Sequence, residues 1–238
     1  MFSERSYDPE LMDDFNADKH VIKLTLAELE FINKWLGGNN VTISGIDTLI
    51  NQYYKTSQNK TIIKCVDIGC GGGDILKILA QWARKKKYNF SFTGIDANNF
   101  IIEYASKNTT QFSEIFYENL DVFSEKFQNQ TYDIITTTLF CHHFTNEQLI
   151  MLFSSWKKNS KIGIVINDIH RHWFAYYSIK WLTELFSNSY MVKYDSKLSV
   201  LRAFKRIELE NILQKAGIVK YKISWHWAFR WQIIIFNF

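Results

Sequence analysis

The chain has 238 residues, enough for one large α/β domain with its own core. Apolar residues make up 47% of it, which excludes global disorder, and 16% are aromatic. The formal net charge of +4 is too small a bias to demand nucleic acid as a partner.

Residues 1–20 are polar and acidic around the only proline, Pro9, and read as a loop or short helix able to act as a lid. Leu24–Leu36 has helical apolar spacing and stops at Gly37-Gly38. A second helix is expected over Ile46–Tyr54. The period then changes. Thr61–Ile68 is a β-rich run that meets glycines and then a helix, Ile75–Arg84. The basic run Arg84-Lys85-Lys86-Lys87 suits the C-terminal end of that helix, where the macrodipole favours cations. A strand follows at Phe90–Ile95, ending at Asp96, and a helix at Phe100–Lys107. Strands are expected at Phe112–Glu118 and Tyr132–Leu139, a helix at Asn146–Lys157, and a strand at Ile162–Ile166 ending at Asn167-Asp168. Nearly forty residues then separate that strand from a helix over Lys205–Ala216. A connection that long usually has a function, and Trp173–Leu182 within it reads as a helical cap. Lys220–Trp227 and Trp231–Phe236 close the chain as an antiparallel hairpin.

Strands alternating with helices predict a doubly wound, mostly parallel sheet covered on both faces. No Pro/Gly/Ser linker divides the chain, so residues 1–238 are expected to form a single domain. Its parts are an N-terminal helical lid (1–58), a core (60–168), a cap inserted after the fifth strand (169–203), and a C-terminal helix with hairpin (204–238). Cys65, Cys70 and Cys141 form no CxxC pair, so neither a disulfide framework nor a zinc site is expected. No charge-free apolar run is long enough to span a membrane, and the polar stretch Met1–Arg5 has none of the apolar character of a signal peptide, so none is expected. A cytoplasmic location is the expectation.

In a doubly wound sheet the loop after the first strand is the prime ligand site. Here it reads Asp67-x-Gly69-x-Gly71-x-Gly73, and its glycines permit tight turning and close backbone approach. A dinucleotide loop reads GxGxxG, but the sixth position from Gly69 is Asp74. An acid at that helix N-terminus suits a pyrophosphate poorly, and favours a ligand with a cationic amino-acid end. Asp96 ends the second strand, where a carboxylate can accept two ribose hydroxyls. Asp121 ends the third, where it can accept an adenine amino group beside the Val122 N–H.

Acids at three successive strand ends resemble the class I S-adenosylmethionine-dependent methyltransferases. The resemblance covers about residues 60–168 in good motif order, and 200–238 more loosely. It implies a Rossmann-like sheet of seven strands, the last antiparallel, with S-adenosylmethionine as cofactor and S-adenosylhomocysteine as product. It also implies that Asp67, Gly69 and Gly71, with Cys70 and Gly73 of the same loop, hold the methionine part. Asp96 and Ala97 would hold ribose, Asp121 and Val122 adenine, and Thr138 would line the methionine side. The stretch Leu139-Phe140-Cys141-His142-His143-Phe144 looks like the Leu-x-His-His-Phe motif of small-molecule methyltransferases, the ubiquinone/menaquinone type among them. Glu10-Leu11-Met12-Asp13-Asp14, Asn167-Asp168 and Leu198–Phe204 resemble bacterial methyltransferases found beside polyketide synthases.

His142, His143, His170 and His172 fall in loops after the fourth and fifth strands, neighbours in the sheet of that family. The two pairs are therefore expected to converge where a methyl group would be transferred. His142, His143 or His170 could serve as a general base, with Asp168 orienting base or substrate. Each histidine could equally be packed or locally hydrogen-bonded. Irregular spacing and missing carboxylate pairing argue against a metal site. Phe174, Tyr177, Trp181 and Leu185 are one helical stripe, readable as a core face; Tyr176 and Ile179 spread apolar surface beyond it. The favoured activity is methyl transfer to an oxygen or carbon of a small aromatic or lipophilic acceptor: a phenol, a quinone or a polyketide-derived ring. A homodimer is compatible with this. An RNA or protein methyltransferase would need an accessory module, and a non-catalytic binder would have a damaged cofactor loop; the sequence has neither feature.

Overall fold

The computed structural model describes residues 2–56 and 61–238. The expected boundary between lid and core, at 58–60, lies outside the described residues. Seven strands form one sheet: β1 (Ile63–Ile68), β2 (Phe90–Asp96), β3 (Ile115–Asn119), β4 (Tyr132–Thr138), β5 (Ser160–Ile169), β6 (Tyr221–His226) and β7 (Arg230–Phe236). Their order is β3-β2-β1-β4-β5-β7-β6. The pairs among β1 to β5 are parallel, and β7 runs antiparallel to both β5 and β6. This is the doubly wound sheet with a terminal hairpin that the alternating pattern predicts.

Nine helices surround it: α1 (Lys19–Trp35), α2 (Gly38–Thr56), α3 (Asp74–Lys86), α4 (Asn99–Asn108), α5 (Glu125–Gln128), α6 (Asn146–Asn159), α7 (Trp173–Phe186), α8 (Tyr190–Arg202) and α9 (Arg206–Lys215), among the described residues. The period of two along each strand divides the core in half. Val66 and Ile135 face the helices α6 and α9, with Phe153, Trp156 and Leu213. Cys65 and Ile134 face α2 and α3, with Leu49, Leu76 and Leu79. The sheet centre is covered on both faces, so β1, β4 and β5 are buried at almost every position, threonines of β4 included.

Element ends differ from the sequence expectation where polar residues start or stop an element. The first helix begins at Lys19, because the Asp18 carboxylate accepts from the His20 and Val21 N–H groups. Gly37 ends it at φ 71°, and the next helix starts at once at Gly38, well before Ile46. The long connection after β5 holds two helices, α7 and α8, packed on each other. One expectation fails. The stripe Phe174, Tyr177, Trp181 and Leu185 is no core face: all four are exposed, Trp181 and Leu185 by 67% and 69%. The neighbouring side of α7, through Ala175, Ile179 and Leu182, is the one turned to the interior, where it lines a cavity together with Phe174 and Ser178.

Arg171 is a distant clasp. Its side chain is fully buried and pairs with Glu208 on α9. It also donates to Ala203 O and to the Phe2 and Ser3 carbonyls, so the N-terminus, the α8–α9 junction and the end of β5 meet on one guanidinium. Removing one partner of a buried ion pair typically costs about 3 kcal/mol or more. Arg171→Met should therefore lower the urea midpoint by that equivalent with an unchanged slope; a loss under about 1 kcal/mol would mean that the clasp is dispensable.

Candidate active site

Parallel pairing brings the C-terminal ends of β1, β2, β3 and β4 to one edge of the sheet. A cavity of about 810 Å³ opens there, bounded by these strand ends, α1, α7, residues 10–15 and the loop after β4. It is lined by Asp67, Gly69, Cys70, Gly71, Asp96, Ala97, Asp121, Val122 and Thr138, nine of the positions singled out in the sequence.

The glycine loop is shaped by sterics. Gly69, Gly71 and Gly73 have φ of 66°, 51° and 76°, a region costly for other residues. A Cβ on Gly69 would lie 2.2 Å from the Phe140 ring, so this glycine also lets the wall of the site close. Gly73 does not line the cavity; it supports the turn, where a Cβ would meet the Tyr117 hydroxyl at 2.3 Å. Thr138 is bonded to Thr42 of α2 at 2.8 Å, fixing the rim at the end of β4.

The acids on this side lack counterions. Asp67 is buried and Asp74 is drawn in beside it; Asp67 Oδ1 and Asp74 Oδ2 have no hydrogen-bond partner among the described residues. Burial, reinforced by Asp74 and Asp96, pushes the Asp67 carboxyl well above its usual range. Asp74 is raised to about 6 by burial and by Glu30. Asp96 is likewise raised to about 6 by burial, against hydrogen bonds from the Asn98 and Gly71 N–H groups. Such a group of acceptors asks for a ligand with cationic or donor atoms.

The opposite wall is built on histidines. His142 is buried; its Nδ1 lies 2.7 Å from Asp168 Oδ1, and its backbone N–H donates to Asp168 Oδ2. Burial alone would raise the Asp168 carboxyl, but His142 outweighs it and holds the group below the usual range. Asp168 itself is behind this wall and does not line the cavity. His143 carries Asp13 on its Nδ1 at 2.7 Å and remains about a fifth exposed to the cavity. Glu10 sits between the two rings, 3.5 Å from His142 Nε2 and 4.0 Å from His143 Nε2.

The two histidine pairs do not converge. His170 lies outside the cavity, its ring 4.8 Å from Trp231 and its Nδ1 accepting from Trp225 Nε1–H at 3.2 Å. Burial and the neighbouring His172 lower it to about 4. His172 caps α7, accepting from the Phe174 N–H. The cause is the direction of the chain after β5: it turns toward the hairpin, pairing His170 with Phe204 and bonding its N–H to Phe229 O.

Glu10, Asp13 and Arg202 were not recognisable as one site in the sequence. Arg202, at the end of α8, donates to the His142 and His143 carbonyls and lies against Glu10 and Asp13. Arg5 donates to the carbonyls of His142, Phe144 and Arg202. The signals were the segments Glu10–Asp14 and Leu198–Phe204, which the sequence analysis singled out by resemblance without giving Glu10, Asp13 or Arg202 a role.

The pattern of the methyltransferase-domain family matches residues 59–217. The chain belongs to the methyltransferase-domain family. No curated protein sequence matches it. Among solved structures, it is similar to the plantazolicin methyltransferase BpumL in complex with S-adenosylhomocysteine, with a TM-score of 0.63, 18% identity, and 94% and 93% of the two chains covered. It is also similar to human N-acetylserotonin methyltransferase, with a TM-score of 0.66, 14% identity, and 98% of this chain but 63% of that one covered. A third is magnesium protoporphyrin IX methyltransferase from Synechocystis PCC 6803, with a TM-score of 0.56, 14% identity, and 87% of each chain covered. The fold is that of the class I S-adenosylmethionine-dependent methyltransferases. The unpaired acceptors of Asp67 and Asp74 fit the ammonium of such a ligand, and the accessible carboxylates of Asp96 and Asp121 fit its hydroxyl and amino donors.

The raised carboxyls make a stability prediction. A folded-state value near 6, above the unfolded value near 4, means that the folded chain takes up protons as pH falls between these limits. The ligand-free protein should therefore melt at higher temperature at pH 5 than at pH 7, and Asp96→Asn should shrink that difference. A melting temperature that falls over this interval, unchanged by Asp96→Asn, would contradict the assigned burial of charge.

Proposed function

We propose that this chain transfers the methyl group of S-adenosylmethionine to an oxygen or carbon of a small aromatic or lipophilic acceptor: a phenol, a quinone or a polyketide-derived ring. The observation that carries this reading is the placement of a carboxylate-backed histidine pair and an apolar helix opposite the acid-rimmed glycine loop, across one cavity. The three structural neighbours are named for small-molecule acceptors, which supports the same class here. We assign residues 10–15, α7 and α8 to lid and cap roles over a single catalytic domain, working in a reducing cytoplasm that suits its free buried cysteines.

When bound, the cofactor supplies an activated methyl group on a sulfonium. The chain's task is alignment, exclusion of water and handling of one proton. Asp96 and Asp121 accept from ribose and adenine, and the glycine loop receives the amino-acid end. Leu139, at φ 56°, turns Phe140 into the cavity as the wall against which the reacting centres align. Ile179 and Leu182 provide apolar cover for the acceptor. His143 is the group we assign to the acceptor's proton; it faces the cavity and is oriented by Asp13. His142 and Asp168 are positioning residues that hold the loop.

Two measurements test the reading. S-adenosylhomocysteine should bind one equivalent in titration calorimetry, and Asp96→Ala should weaken it at least about tenfold, the loss of one or two hydrogen bonds to a charged group; an unchanged affinity would remove Asp96 from the site. With a panel of phenols and quinols as acceptors, His143→Gln should lower turnover by roughly 100-fold or more while S-adenosylhomocysteine affinity stays within about twofold. Equal turnover in wild type and variant would remove the proton role from His143.

A further inference from the structure

Glu10, His142 and His143 each present one ligand atom, and these atoms lie within 4.8 Å of one another. Each histidine has its Nδ1 on a carboxylate: His142 on Asp168, His143 on Asp13. That is the outer-shell arrangement which fixes a metal-binding imidazole, because Nδ1–H donates to the acid and the Nε2 lone pair is left to bind. Both Nε2 atoms face the Glu10 carboxylate, so three acceptors point at one another. Glu10 Oε1 is buried and has no hydrogen-bond partner among the described residues. Three carboxylates, Glu10, Asp13 and Asp168, stand around this point, with Arg202 as the cation that reaches Glu10 and Asp13.

We propose that Glu10, His142 and His143 bind a divalent first-row transition metal ion at the acceptor side of the cavity. Two imidazoles and one carboxylate favour zinc, manganese, iron(II) or cobalt over magnesium and calcium, which prefer all-oxygen sets. Ligand atoms about 2.1 Å from a tetrahedral ion stand roughly 3.4 Å apart, so this trio needs to close by up to about 1.5 Å. Three protein ligands leave positions open toward the cavity. The proposal rests on the preceding reading for the acceptor's place and refines the role given there to His143: as a ligand it acts on the acceptor's proton through the ion and does not take it up itself. The acceptor's oxygen coordinates the ion, its O–H bond breaks, the electron pair stays on oxygen, and the proton leaves to solvent through the cavity mouth. No electron changes hands.

The test uses the full chain, freed of metal by a chelator and titrated with Co2+, Zn2+ or Mn2+ alone. One equivalent of Co2+ should saturate the site and give the visible absorption of an ion with nitrogen and oxygen ligands. Glu10→Gln and the more exposed Asp13→Asn should each weaken it tenfold or more, with S-adenosylhomocysteine affinity and melting temperature near wild type. Absence of one-equivalent binding, or binding unmoved by both variants, overturns the metal. Should Glu10→Gln unfold, Asp13→Asn alone decides. Failure to bind S-adenosylhomocysteine while Co2+ still binds would overturn the methyltransferase reading and not the metal site.

Discussion

The contact between Asp168 and His142 constrains the half of the cavity that carries the histidines. A carboxylate at the end of a central strand, cut off from water, stays ionised only if donors surround it. Asp168 receives three: His142 Nδ1–H and the backbone N–H groups of His142 and Ile169. This ties the loop after β4 to the end of β5. The loop must leave β4 through Leu139 in a left-handed conformation to reach it. Once there, its carbonyls point outward and collect Arg202 and Arg5, which bring in α8 and the N-terminal segment. Asp195 then accepts from the Leu11 and Met12 N–H groups and completes the closure from the other side.

The half that carries the glycine loop follows the opposite electrostatic rule. Asp67 and Asp74 are buried with unpaired oxygens, and their protonation is favoured by burial and by neighbouring carboxylates. Such acids destabilise the ligand-free fold and hold binding energy in reserve for a cationic ligand. On the histidine side Asp13 and Asp168 are each bonded within the protein, and Glu10 Oε1 is the one oxygen of these acids left without a hydrogen bond among the described residues. The cavity therefore joins a half that is completed by its ligand to a half that, Glu10 apart, is completed by the protein.

This contrast also explains what the sequence made legible. The glycine loop and the strand-end acids are each a few residues at fixed offsets from a strand, and the parallel sheet alone aligns them. Reading strands and their last residues was enough to find Asp67, Asp96, Asp121 and Thr138 on one rim. The histidine wall is assembled from pieces far apart in the chain: Arg5 meets His142 across 137 positions, and Arg202 meets Asp13 across 189. No local period encodes such contacts, so Glu10 and Arg202, although both lie in stretches that resemble bacterial methyltransferases, could not be assigned to one site. His170 was misplaced for a related reason: adjacency of β4 and β5 was legible, but the turn of the chain after β5 toward the hairpin was set by its pairing with Phe204.

The aromatic segment failed for a different reason, and the failure is informative. A helical stripe of Phe174, Tyr177, Trp181 and Leu185 is what burial normally produces, yet that stripe faces out. The weaker stripe of Ala175, Ile179 and Leu182 faces in, because small and aliphatic side chains leave the cavity open where large rings would fill it. The inward residues of α7 set the room above the histidine wall, while the geometry of the glycine loop is indifferent to them. Acceptor range should therefore follow the size of these few side chains, and cofactor binding should not.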